Sequence, residues 1–169
     1  MRFIRTMNAK DELIDWLRDA YAMERGLEIT LQKQAANAEL NSTIREQARL
    51  HLEETKGHAE AVHACLEQLG ADTSALKTGM AKMLEMGKGL GTTFASDERV
   101  KDLLAAYASE HFEIACYKAL RAGALEIGHP EIAAVCDTIL PDEERMAGWL
   151  DANLTNVVSG YLRETQAAS

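Results

Sequence analysis

Residues 108–124 read ASEHFEIACYKALRAGA. Ile114, Tyr117, Leu120 and Ala124 recur at the three- and four-residue spacing of one helical face. Two carboxylates fall on that face. At about 100° per residue, Glu110 is about 10° from the centre of the apolar stripe and Glu113 about 50° from it. Buried carboxylates are costly unless something neutralises them. Glu143 follows Glu113 by 30 residues, and the same 30-residue interval separates Glu24 from Glu54. Glu24 and Glu143 lie within about 30° of the centres of their own stripes, and Glu54 about 45° off its centre. The chain reads as two copies of one helical hairpin, each aiming two acids inward. A metal pair inside a four-helix bundle is the usual neutraliser of such a set.

Composition agrees with an all-α chain. The 169 residues hold only two prolines and few aromatics, and the helix formers Ala, Leu, Glu, Lys and Met are abundant. A net charge of -9 argues against a nucleic-acid partner and against an anionic membrane surface. No apolar run reaches the roughly 18 residues of a membrane span. The start, MRFIRTMNAKDEL, lacks the apolar core of a secretory signal. Cys65, Cys116 and Cys136 are an odd set without CxxC spacing. Three reduced, packed thiols in a cytoplasmic protein are expected.

The expected organisation is a single domain over 1–169, with a hairpin at 9–70, a crossover at 71–96 and a second hairpin at 97–165. Asn8 suits the start of the first helix, whose stripe is Leu13, Trp16, Leu17, Ala20, Leu27 and Leu31. Thr43 and Glu46 have the spacing of a capping box for the second helix. That helix carries Ile44, Ala48, Leu50, Ala61, Val62, Cys65 and Leu69 before a stop at Gly70. Asp72, Thr73 and Ser74 can cap a short crossover helix bearing Met80, Met83 and Met86, whose methionines read as packing residues. Gly128 closes the third helix, and Pro130 suits the first turn of the fourth. Pro141 interrupts the fourth pattern, removes the bond to the Asp137 carbonyl and is expected to bend the helix just before Glu143.

Six inward groups result: Glu24, Glu54, His58, Glu110, Glu113 and Glu143. Oxygen ligands with a nitrogen donor suit iron or manganese in an open site, and two divalent ions would neutralise most of the charge. Without metal the cluster needs protons or salt bridges, and Arg99 and Arg121 lie too far along the axis to supply them. His51 shares the face of His58 two turns earlier and ranks behind it. Glu144 is marginal at about 90° from its stripe, while Glu53 faces solvent. Tyr21 and Tyr107 fall on or beside the ligand faces. Snorkelling acids and a satisfied core histidine are the plain alternative for each residue taken singly.

The stretches DAYAMERGL (19–27), HLEETKGHAEAV (51–62), ASEHFEIACYKALRAGA (108–124) and DEER (142–145) resemble the YciE/YciF-type ferritin-like proteins of bacteria. The resemblance spans about residues 10–155. It implies a ferritin-like bundle with a crossover, a homodimer, a link to stress responses, and Glu24, Glu54, Glu110, Glu113 and Glu143 as inward acids. The wider ferritin-like class places a histidine three residues after the acid on helices two and four, where this chain has Gly57 and Met146. His58 is the expected substitute in the first hairpin. Its counterpart in the second is Ala147, so Glu110 is expected to fill that gap. The departure weighs on di-iron oxidase activity more than on metal binding. The function expected is a dinuclear, iron or manganese, carboxylate centre that oxidises Fe(II) or consumes peroxide, with oxygen or peroxide as its small partner. The alternative is a structural or interaction bundle without redox turnover.

Overall fold

The structure, a computed structural model, describes residues 8–38, 40–71 and 98–167. Four helices make it up: α1 (Ala9–Ala36), α2 (Ser42–Gln68), α3 (Glu98–Glu126) and α4 (Pro130–Ala167). Asn8 caps α1 by accepting from the Asp11 amide at 2.9 Å, with Asp11 and Glu12 in the first turn and Lys33 in the last, complementing the helix dipole. Asn41 caps α2 in the same way through the Thr43 amide at 2.7 Å. The Thr43–Glu46 capping box does not form. The helix starts two residues too early for Thr43 to be its cap, and Glu46 pairs with Arg49 at 2.7 Å instead. Gly70 and Gly128 take φ of 67° and 83° just past the ends of α2 and α3, as a left-handed helix stop requires. Pro141 lies inside α4 without ending it.

The hairpin partners α1/α2 and α3/α4 pack closely, and α1 meets α3 and α2 meets α4 along thinner seams. Trp16 packs on Gly123 and Glu24 meets Tyr117, so α1 and α3 run antiparallel. Glu54 meets Arg145 and His58 meets Asp142, so α2 and α4 do too. Therefore α2 and α3 point the same way, and Ala71 and Glu98 lie at opposite ends of the bundle. The expected crossover helix lies outside the described residues.

Two apolar layers sandwich the acids. One includes Leu13, Leu17, Met23, Val62, Leu66, Leu120, Ile132 and Ile139. The other holds Leu31, Ala48 and Leu52 on one hairpin and Leu103, Met146 and Leu150 on the second. On α1, α3 and α4 the buried acids fall in the gap between layers. Leu50, expected in the core, is 46 % exposed, because α2 is rotated toward the face set by Ala48, Leu52, Ala59 and Val62. No described helix is long and apolar enough to cross a membrane. The three cysteines are free, with Cys65 and Cys136 buried and Cys116 half-buried.

Candidate metal centre

Glu24 of α1, His51 and His58 of α2, Glu110 and Glu113 of α3 and Glu143 of α4 are all buried at mid-bundle. Two triads form among them, Glu24–His58–Glu143 and His51–Glu110–Glu143, and within each the potential ligand atoms lie within 4.8 Å of one another. Glu143 belongs to both. Its Oε1 is 2.9 Å from His58 Nδ1, and its Oε2 is 3.7 Å from His51 Nε2. Glu24 Oε2 sits 3.7 Å from His58 Nδ1, and Glu110 Oε2 3.3 Å from His51 Nε2.

These contacts bring each imidazole to ion-pair distance of its carboxylates without the geometry of a hydrogen bond. Glu24 Oε2, Glu110 Oε2, Glu113 Oε2, both oxygens of Glu143 and His58 Nδ1 are buried without a hydrogen-bond partner among the described residues. Orphaned acceptors gathered at one point have the donor chemistry of a cation site. The fit extends to charge, since four buried carboxylates offer the charge that two divalent ions would balance. Each imidazole also has the arrangement of a metal ligand, with an inner nitrogen in a triad and an outer one on a carboxylate. His51 Nδ1 lies 3.0 Å from Glu54, and His58 Nε2 lies 3.2 Å from Asp142.

Glu54 is thus placed differently from its expected position. Its side chain is 29 % exposed and outside both triads, holding His51 on one side and Arg145 on the other. His51, ranked second from the sequence, is the nitrogen of the second triad. It stands beside Glu110, which was expected to fill the gap left by the missing fourth-helix histidine. Tyr117 also reaches the cluster, donating its buried hydroxyl to Glu24. A hydroxyl on a fully buried stripe needs a partner, and that was the available signal for it. Tyr21 packs beside His63, ring centroids 5.6 Å apart, and Tyr107 donates to Asp151 at 3.3 Å. Glu144 faces outward and pairs with Lys118 at 3.0 Å. Arg121 pairs with Asp137 at 2.6 Å and Arg99 with Glu164, both away from the acids.

The electrostatics follow from burial. Burial drives the Glu113 carboxyl well above its usual range, and Glu143, Glu24 and Glu110 push it further. Burial lifts Glu110 to about 7, although His51 pulls the other way. Glu24 is raised by burial too, with His58 opposing. Burial alone would lower both histidines. Glu110, Glu143 and Glu54 instead raise His51 to about 9, and Glu143 with Glu24 raises His58 to about 10.

The metal-free cluster therefore holds itself together with protons, and stability should follow them. A raised folded pKa stabilises fully below the unfolded value and loses that contribution as pH rises through the folded one. For Glu110 the window runs from 4.5 to about 7. For His51 and His58 it runs from 6.5 to about 9 and about 10. The chelated protein should lose melting temperature steadily from pH 5 to pH 10, while metal affinity rises over the same range because metal displaces these protons. Thermal melts in excess chelator at constant ionic strength check this, and a flat or rising profile would contradict it.

Four antiparallel-paired helices with a lengthwise return between the second and third, enclosing a carboxylate and histidine cluster, define a ferritin-like four-helix bundle. The chain belongs to the family described as a domain of unknown function, DUF892, which matches residues 8–163. A protein from Xanthomonas campestris pv. campestris is 32 % identical, the match covering 94 % of this chain and 99 % of that one with a TM-score of 0.77. The E. coli stress protein YciF is 25 % identical over 91 % of this chain and 99 % of its own, with a TM-score of 0.71. Ferritin-like, diiron-carboxylate proteins from Bacillus anthracis match at 18 % identity, 88 % and 99 % coverage and a TM-score of 0.69, a likeness of fold. The resemblance read from the sequence and the ferritin-like fold are both borne out.

Proposed function

We propose that this chain is a dinuclear metal-carboxylate protein that uses iron, with manganese as the competing metal, to oxidise Fe(II) or consume peroxide in a stress response. The observation that carries the reading is Glu143, whose two unpartnered oxygens face two separate buried triads. Glu24, His58 and Glu143 would hold one ion, and His51, Glu110 and Glu143 the other, with Glu113 completing the set from α3. Bound iron would supply one-electron redox chemistry. The chain's own residues fix the ligands, exclude bulk water with the apolar layers on either side, and hold a proton at the Tyr117 hydroxyl beside Glu24. The homodimer, the cytoplasmic setting and the small oxidant belong to the same proposal. They are supported by the family resemblance and the reduced cysteines.

Anaerobic Fe(II) titration of chelator-stripped protein should saturate at two ions per chain. Stopped-flow mixing should then show Fe(II) oxidation faster than in buffer, and faster with peroxide than with oxygen. Saturation at two ions with no acceleration over buffer would favour the second reading, a structural bundle without turnover. Gly57 and Met146, standing where the wider class has histidines, speak for that alternative.

A further inference from the structure

The α2/α4 seam is thin, and one side chain closes its polar part. Arg145 of α4 places Nη1 2.8 Å from Asp142 Oδ1 and Nη2 on Glu54 Oε1 across the seam. Each of these carboxylates uses its other oxygen on a histidine. Glu54 Oε2 takes His51 Nδ1 at 3.0 Å, and Asp142 Oδ2 takes His58 Nε2 at 3.2 Å. Each histidine's remaining nitrogen enters a different triad. One guanidinium thus stands behind both imidazoles through two carboxylates. The planar fork of an arginine can span two carboxylates in fixed geometry, and a lysine ammonium cannot.

We propose that Arg145 is the positioning residue that sets both imidazoles of the centre at once, so that the two metal positions are preorganised and filled as a pair. This rests on the metal reading of the cluster and adds to it a residue that touches neither ion. With Arg145 in place, each outer carboxylate accepts its histidine's outer N–H, which fixes the ring so that the inner nitrogen faces its triad, where a metal would displace its proton. Without it, Glu54 and Asp142 are free to turn to solvent or into the cluster, and neither ring keeps a defined orientation. A guanidinium this close also repels a cation. The rival expectation is therefore that removing it strengthens binding.

The test is Co(II) and Mn(II) binding to the full chain, measured by calorimetry and by the visible spectrum of bound Co(II). The proteins compared are wild type, Arg145→Gln, Arg145→Lys and Glu54→Gln/Asp142→Asn with and without Arg145→Gln. Arg145 is 52 % exposed, and circular dichroism confirms that each variant folds. Arg145→Gln should weaken binding about tenfold, the low end for loss of an outer partner, and should broaden or shift the Co(II) bands. Arg145→Lys keeps the charge and should fail to restore either. In the Glu54→Gln/Asp142→Asn background, Arg145→Gln should change affinity less than about twofold, because the residue acts through those carboxylates. Tighter binding in Arg145→Gln, or wild-type behaviour in Arg145→Lys, would overturn the proposal while leaving the metal centre standing. Failure of the wild-type protein to bind either ion would overturn both.

Discussion

Replacing Glu143 with Gln is expected to empty the whole centre rather than half of it. Glu143 is fully buried, and its two oxygens serve two triads. The amide keeps the volume and the packing on α4. It removes one negative charge, and it turns one of the two facing oxygens into an NH2 group that cannot bind a cation. Both positions then lose a ligand or its charge at once. A loss of about 3 kcal/mol at each is on the order of 100-fold in affinity. Metal content after dialysis should fall from two ions per chain toward none. Glu24→Gln touches only the His58 triad and should leave the second position partly filled. Glu53, exposed and paired with Lys56 at 2.7 Å, is the control whose change to Gln should alter nothing. Elemental analysis of the three variants, loaded in parallel, decides the matter. Retention of one full ion by Glu143→Gln would show that the two triads do not share this residue, and equal content in all variants would remove the ligand assignment.

The fold was legible because its signals repeat. The 30-residue interval between acids occurs in both hairpins, each acid interrupts the apolar stripe expected of its helix, and Asn8, Gly70, Gly128 and Pro130 mark helix ends. The site was legible in part, and the shortfall has a definite source in α2. The expected stripe included Leu50 and Ala61, which drew its centre toward Glu54. The observed face, set by Ala48, His51, Leu52, Thr55, His58, Ala59 and Val62, is rotated so that Glu54 lies about 90° from its centre and His51 only about 30°. That rotation exchanges their roles, making His51 an inner residue and Glu54 the carboxylate behind it. The signal for His51 was its seven-residue spacing from His58, two turns on one face. Arg145 and Asp142 could not be found by periodicity, since both are partly exposed and matter only through contacts across the α2/α4 seam. Such pairings depend on which helices become neighbours and at what height, which the hairpin repeat does not specify.

Replacing Glu113 with Leu should make the metal-free protein more stable and its metal response weaker. Glu113 is fully buried, one of its oxygens has no partner, and the other accepts only a long 3.4 Å contact from Ser109. Its carboxyl is held well above the usual carboxylate range by burial and then by three neighbouring acids. The folded protein therefore keeps a proton there at pH values where the unfolded chain has already lost it. The proton that the folded state holds on to is a cost to the wild type that grows as pH rises above 4.5. Leucine has nearly the same volume, needs no proton and belongs in such a place. Chelated Glu113→Leu should melt several degrees above chelated wild type at pH 7, at roughly 2–4 °C per kcal/mol for a chain of this size. The sign of the pH dependence follows from the raised pKa. The penalty on the wild type grows as pH rises and vanishes near 4.5, so the gap should widen at pH 8 and close at pH 5. Saturating metal reverses the order of advantage, because it stabilises the wild type by mass action and finds one carboxylate fewer in the variant. Calorimetry of both proteins at three pH values, with and without Mn(II), gives the full pattern. A chelated variant that melts below wild type at pH 8 would mean that Glu113 is satisfied without metal, and the cluster would then have a purely structural explanation.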